Sequence, residues 1–284
     1  MSFEGREELE MKGRGAEGGL VKEDLANLME LARGLALRAG EITLKYFGEV
    51  LVADEKADGT PVTRADREAE ALLRSEIRRL YPDHSILGEE FGEYVGPAPV
   101  RWILDPIDGT LAFMRGVPLY AVLIGIEIEG DPVVGVAHFP ALDETVAAAR
   151  DQGCNWWPRK SVSSVSACVS DVGNLKNALA LTTDLERILV SRVGSGWRNL
   201  SGRVRLVRGW GDAYGHILVA TGRAEVMVDP FLSLWDAAPL LPIVTESGGQ
   251  FTDLQGNETI LGGSGVSTNG RVHQPVLDIL KEGV

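Results

Sequence analysis

Apolar residues first recur at helical spacing. Between Glu23 and Phe47, the residues Leu25, Leu28, Leu31, Leu35, Ala39, Ile42 and Tyr46 fall on one stripe, which predicts an amphipathic helix. A polar run with turn residues follows, from Ala53 to Pro61. A second helix opens at Thr63-Arg64-Ala65-Asp66, a capping-box-like start with an acid three residues after the threonine. Ala69, Leu72, Leu73, Ile77 and Leu80 form its apolar face, and Tyr81-Pro82 ends it. The period then changes to that of strands. Ser85 to Leu87 is short, and Val100 to Leu104 leads straight into Asp105. Leu119 to Ile128 and Pro132 to Phe139 are rich in β-branched and apolar residues, and Glu129-Gly130-Asp131 between them reads as a hairpin turn. Glu144 to Ala149 adds a further strand.

From about Asp151 the pattern alternates. Strands are predicted at 178–182, 203–207 and 224–228, and helices at 184–193, 212–221 and 237–247. Short strands at 250–252 and 265–268 precede a last helix over 272–280. The chain therefore divides into a flexible N-terminal arm (1–22), an α+β part of helices on an antiparallel sheet (23–150), and a C-terminal α/β part (151–284) that completes the site. The two larger parts form one unit, since no linker-like run separates them.

Composition changes this picture little, but charge narrows the partners. With 28 basic and 41 acidic residues the formal charge is 28 − 41 = −13, which disfavours nucleic acid as a partner. An anionic substrate would meet the same field, so a site for one needs local positive charge, and bound metal ions can supply it. Cys154 and Cys168 make no CxxC pair, and the N-terminal residues have no apolar leader segment. No apolar run is long enough to span a bilayer, and a cytoplasmic setting without membrane partners is expected. The Gly13-to-Gly18 stretch matches GxGxxG in form only, because no strand precedes it.

Acids collect at predicted strand and helix ends. Glu89 and Glu90 follow the strand at Ile86-Leu87, and Trp235-Asp236 opens a late helix. The segment Asp105-Pro106-Ile107-Asp108-Gly109-Thr110 is the most informative. A carboxylate ending a buried strand is costly without a partner. Two carboxylates converging on one point repel unless a cation sits between them, and hard oxygen ligands at a turn favour Mg²⁺. If a helix starts here, the N–H groups of Gly109 and Thr110 can hold a phosphate oxygen. Taken singly, Asp66 reads as a helix cap, Asp236 as a first-turn acid and Glu89 as a solvated loop residue.

In order, Ile86-Leu87-Gly88-Glu89-Glu90, Trp102 through Thr110, Trp235-Asp236-Ala237-Ala238 and Thr245 through Gly249 resemble the inositol monophosphatase family from about Glu23 onward. The resemblance implies a layered αβαβα sandwich and hydrolysis of a phosphate monoester with two or three Mg²⁺ ions. It places one ion on Glu89, Asp105 and the carbonyl of Ile107, and a second on Asp105, Asp108 and Asp236. Glu89, Thr110 and Asp66 become catalytic, the last two polarising the attacking water, with Lys56 on a nearby loop. Sensitivity to Li⁺ and a homodimer are further family expectations. Arg208 through Gly215, Ala220 through Glu225 and Val228-Asp229-Pro230 resemble the histidinol-phosphate phosphatase branch, which acts in histidine biosynthesis. On that likeness Gly211, Asp212, Ala213 and Asp229 contact the organic part of the substrate, where carboxylates can pair with an amine and an imidazole. Inositol monophosphate, fructose 1,6-bisphosphate and a 3′-phosphoadenosine nucleotide are the alternative substrates, and a silent sugar-phosphate-binding module is the alternative class. Leu111-Ala112-Phe113 and Asn155-Trp156-Trp157-Pro158 depart from the family pattern.

Overall fold

The first apolar stripe folds as helix α1 (Lys22–Leu44), and its buried side, Leu25, Leu28, Leu35 and Ala39, is the stripe read from sequence. The computed structural model describes residues 22–48, 54–55 and 61–282. The expected arm at 1–22, apart from Lys22, and Lys56 lie outside the described residues. Strands β1 (Asp54–Glu55) and β2 (Pro61–Val62) pair antiparallel just before helix α2 (Arg64–Leu80). The capping box at the start of α2 forms as expected: Ala65 N–H donates to Thr63 Oγ1 and Thr63 N–H to Asp66 Oδ2 at 2.8 Å. Leu80, expected on the apolar face, is 40% exposed, and the following Tyr81 packs against the core instead.

Strands β3 (Ser85–Gly88), β4 (Gly92–Tyr94) and β5 (Val100–Asp108) are followed by the short helix α3 (Thr110–Met114). Then come β6 (Ala121–Ile128), β7 (Asp131–Phe139), β8 (Glu144–Ala149), β9 (Cys154–Trp157) and β10 (Val165–Ser166). Together β3 to β10 make an eight-stranded sheet in the order β10-β9-β8-β7-β6-β5-β3-β4, antiparallel except for β3 against β5. The hairpin at Glu129-Gly130 has both residues at positive φ (55° and 88°), the backbone of a type I′ turn. The boundary expected at Asp151 falls inside this sheet, since β9 still pairs with β8. The Asn155-Trp156-Trp157 segment is thus a strand.

The second sheet holds β11 (Leu179–Leu181), β12 (Leu206–Arg208), β13 (Val226–Asp229), β14 (Gln250–Thr252) and β15 (Gly265–Thr268), in the order β12-β11-β13-β15-β14. Helices α4 (Leu185–Val190) and α5 (Gly194–Ser201) replace the single helix expected over 184–193. The chain turns at Ser191, and Gly194 starts the second helix against the Leu189 carbonyl, where a Cβ would overlap. Helices α6 (Asp212–Ala220) and α7 (Leu234–Glu246) lie between the two sheets, and α8 (His273–Lys281) covers the second sheet with α5.

The result is an α+β fold in five layers: α1/α2, first sheet, α6/α7, second sheet, α5/α8. Alternation along the strands serves both faces of the first sheet. Trp102, Leu104, Val122 and Ile124 pack under α1 and α2, whereas Ile103, Ala121 and Leu123 pack under α6 and α7. This double burial explains why these strands read as continuous apolar runs.

Helix α7 reaches the first sheet through two glycines paired across β6 and β7, Gly125 and Gly135. A Cβ at Gly135 would overlap the Pro239 carbonyl oxygen, and one at Gly125 would lie 2.8 Å from the Ala238 methyl. Gly135→Ala will therefore lower stability by roughly 3 kcal/mol, the upper range for overpacking. Gly34→Ala in α1, where nothing lies within 4 Å, will leave it unchanged or raise it. Urea unfolding of the two variants checks this, and equal midpoints would refute the close packing.

Candidate active site

Strand β5 brings the first two acids together through an irregularity. Asp105 faces Leu123 on β6 and Asp108 faces Ala121, so three steps on β5 oppose two on β6. Strict alternation sends residues three apart to opposite faces; the extra residue of this bulge turns both carboxylates to one side. Pro106 sits in the bulge, where its missing N–H costs no ladder bond. Ile107 N–H donates to Asp105 Oδ1 at 2.9 Å, and Thr110 Oγ1 donates to the Ile107 carbonyl at 3.2 Å. The turn then continues through Gly109, at φ 77°, into α3.

Helices α6 and α7 close the site from the other side. Ala213 N–H, at the start of α6, donates to Asp108 Oδ2 at 2.8 Å. Asp236 is the third residue of α7 and accepts from Ser233 N–H at 2.9 Å, completing a capping box. Its cap role and its place in the cluster coincide. One oxygen from each of Asp105, Asp108 and Asp236 lies within 4.8 Å of the others. Asp105 and Asp108 are 2% and 7% exposed. Helix N-termini favour anions, but they do not offset this crowding. Burial, followed by the charges of Glu89, Asp236 and Asp108, raises the Asp105 carboxyl well above the ordinary carboxylate range. Burial and Asp212 do the same to Asp108. Asp236 is pushed up to about 7, mainly by burial. These residues can hold a metal: a set of hard oxygen donors that repel one another is stabilised by a divalent cation.

The cleft above the acids has a volume of about 640 Å³. Glu89, Asp105, Ile107, Asp108, Gly109, Thr110, Asp212 and Asp236 all line it. Glu89 leaves the end of β3, tied by its N–H to the Leu104 carbonyl at 3.2 Å. Asp66 is fully buried and is not among the residues lining the cleft. One of its oxygens is taken by Thr63, the other has no hydrogen-bond partner, and burial raises its pKa to about 6. Thr110 and Asp66 make no hydrogen bond to each other.

The residues of the 211–213 segment have separate places. Gly211 packs against Thr183, where a Cβ would overlap the Thr183 backbone. Asp212, at φ 54°, is held by Thr183 Oγ1, which accepts from its N–H at 2.8 Å, and its carboxylate faces Gly109. Burial, then Asp229, raises its pKa to about 6. Asp229 does not line the cleft and is 2% exposed. Its Oδ1 accepts from Thr183 N–H at 3.1 Å, and its Oδ2 meets His216 Nε2 at 3.2 Å. His216 Nδ1 in turn meets Ser267 Oγ at 2.6 Å. The buried series Ser267–His216–Asp229 thus ends on Thr183, an exposed cleft residue that holds Asp212.

Among the cleft residues not foreseen are Thr183, Asp184, Arg187 and Phe231. The Arg187 guanidinium lies 4.7 Å from the Phe231 ring centroid. In sequence, Asp184 reads as a helix start, and it does cap α4 through Glu186 N–H and Arg187 N–H (2.8 and 2.9 Å). Nothing local marks these residues as belonging to the cleft.

Residues 24–282 match the model of the inositol monophosphatase family. A histidinol-phosphatase of Chlorobaculum parvum is 42% identical over 257 residues, covering 90% of this chain and 97% of that protein. A histidinol-phosphatase of Mycobacterium tuberculosis is 39% identical over 260 residues, covering 89% and 97%. Among solved structures, the extragenic suppressor protein SuhB of Bartonella henselae superposes with a TM-score of 0.82 at 29% identity, covering 91% of this chain and all of that one. With the layered α+β fold, the acidic cluster and a match along nearly its whole length, the chain belongs to the inositol monophosphatase family and is a phosphoric monoester hydrolase.

Proposed function

We propose that the protein hydrolyses L-histidinol phosphate to L-histidinol and inorganic phosphate, with Mg²⁺ held by Glu89, Asp105, Asp108, Asp236 and the carbonyl of Ile107. The observation that carries this reading is the convergence of three carboxylates, Asp105, Asp108 and Asp236, in a cleft. Oxygen-only donors suit Mg²⁺ better than a softer metal. When bound, such ions make water a stronger nucleophile and neutralise charge on the leaving oxygen.

The chain's own residues do the positioning. Gly109 and Thr110 line the cleft at the start of α3, and their N–H groups hold phosphate oxygens. The unpartnered oxygen of Asp66 and the Thr110 hydroxyl orient the attacking water. Asp212 pairs with the cationic amine or imidazole of the substrate. Gly211 and Ala213 set its backbone, and Asp229 acts from behind through Thr183. Names of relatives at 42% and 39% identity support the same substrate.

Phosphate release from L-histidinol phosphate and from inositol 1-phosphate, each with Mg²⁺ and with EDTA, tests the reading. The expected result is EDTA-sensitive release with kcat/KM for histidinol phosphate on the order of 100-fold higher. Asp212→Asn should lower that value about 10- to 100-fold, the worth of a hydrogen bond to a charged group, and leave inositol 1-phosphate nearly unaffected. Faster release from inositol 1-phosphate would overturn the substrate and return Asp212 to a structural role.

A further inference from the structure

Glu70 is a charged side chain with 0% exposure on α2, opposite the loop that carries Glu89. Gly88 pairs with Gly92 across β3 and β4, so Glu89, Glu90 and Phe91 form a three-residue loop. Two of its three N–H groups turn toward Glu70: Glu90 N–H donates to Oε2 at 2.8 Å and Phe91 N–H to Oε1 at 3.2 Å. Arg74, one turn further along α2, completes the arrangement. Its Nη1 lies 3.1 Å from Glu70 Oε1 and 2.9 Å from the Gly92 carbonyl oxygen. At Gly88 a Cβ would overlap the Glu70 carboxylate.

A buried carboxylate costs several kcal/mol unless it is paired and hydrogen-bonded, and here both conditions are met by the loop and by Arg74. The helix therefore holds the loop from Glu90 to Gly92, and packs against Gly88 at its other end. The N–H of Glu89 itself is fixed by the Leu104 carbonyl, one residue before Asp105. We propose that Glu70, with Arg74, is a positioning residue that holds the Glu89 carboxylate against Asp105 and Asp236. This rests on the reading of Glu89 as a metal ligand. Carboxylates and amides behind a ligand set its orientation, and losing one costs about 10- to 100-fold in metal affinity.

Glu70→Gln is isosteric and keeps the contact with Gly88. However, its amide NH₂ must face either the Glu90 N–H or both the Phe91 N–H and Arg74, donor against donor. Titration calorimetry of Mg²⁺ into the metal-free full-length protein should show binding about tenfold weaker than wild type. At saturating Mg²⁺, kcat should return to near the wild-type value, while the unfolding midpoint in EDTA should fall because the buried donor-against-donor contact destabilises the fold. Should Glu70→Gln fail to fold, Arg74→Gln, which loosens the Gly92 end only, should weaken Mg²⁺ binding about threefold, a smaller effect of the same kind. Glu89→Gln is the reference. If it weakens Mg²⁺ binding while Glu70→Gln binds as wild type, the positioning role is overturned and the metal site stands. A lowered midpoint in EDTA with unchanged Mg²⁺ affinity would likewise reduce Glu70 to a structural residue. If Glu89→Gln itself binds Mg²⁺ normally, the metal reading of Glu89 falls, and the role of Glu70 with it.

Discussion

Asp105→Asn will cut phosphate release by about 1000-fold or more, equivalent to roughly 4 kcal/mol of lost transition-state stabilisation. Asp105 is the most enclosed of the three clustered acids, and both Glu89 and Asp236 act on it electrostatically. On the proposed reading it would therefore be a ligand whose loss costs most. The substitution is conservative in every other respect. Asn has the same shape, and its Oδ1 can still accept the Ile107 N–H that holds the bulge at 2.9 Å. Removing one buried negative charge also relieves repulsion, so the metal-free variant should unfold at the same temperature as wild type or higher. A malachite-green assay at saturating Mg²⁺, paired with thermal unfolding in EDTA, reads both quantities. Wild-type turnover would sink the metal assignment; lost turnover with a lowered unfolding temperature would make Asp105 a structural residue.

Saturating Mg²⁺ will stabilise the folded enzyme by about 3 kcal/mol at a hundredfold excess over its dissociation constant, and Asp236→Asn will abolish most of that gain. For a chain of this size that is a rise of roughly 5–10 °C in unfolding temperature. The cause is the same crowding that raises the carboxyl pKa values: without a cation, folding brings like charges together. The pH dependence has a definite sign. Asp236 is held at about 7 in the folded, metal-free protein, against ~3.9 in an unfolded chain. Folding therefore takes up a proton between those values, and this contribution to stability is lost as pH rises through that window. In EDTA the unfolding temperature should owe a fall to Asp236 between pH 5.5 and 8, seen as the difference from Asp236→Asn. With Mg²⁺ the wild-type carboxylates are ionised at both values, so only the pH dependence of that difference should vanish. Differential scanning fluorimetry of both proteins at the two pH values decides it, and an absent Mg²⁺ shift in wild type would remove the metal from this cluster.

The amino-acid sequence by itself determined the elements whose signals are local. The stripe from Leu25 to Ile42 needs only the helical period, Thr63 and Asp66 need only each other, and Glu129-Gly130 needs only a left-handed turn. The three acidic motifs and the family were legible in the same way, as short runs in a fixed order. The tertiary structure alone decided which residues meet. Nothing between Asp105 and Asp108 announces that β5 gains a residue on β6, yet that bulge turns both acids to one side. Asp229 looked free to contact a substrate; His216 and Thr183, from two other elements, take both its oxygens. Arg187 and Phe231 line the cleft from distant segments, and Glu70, which reads as an ordinary acid on a helix, is buried under the Glu89 loop. The division has one physical cause. Periodicity and capping are set by interactions within about one helical turn, whereas a site is assembled by sheet register and helix packing between residues far apart in sequence.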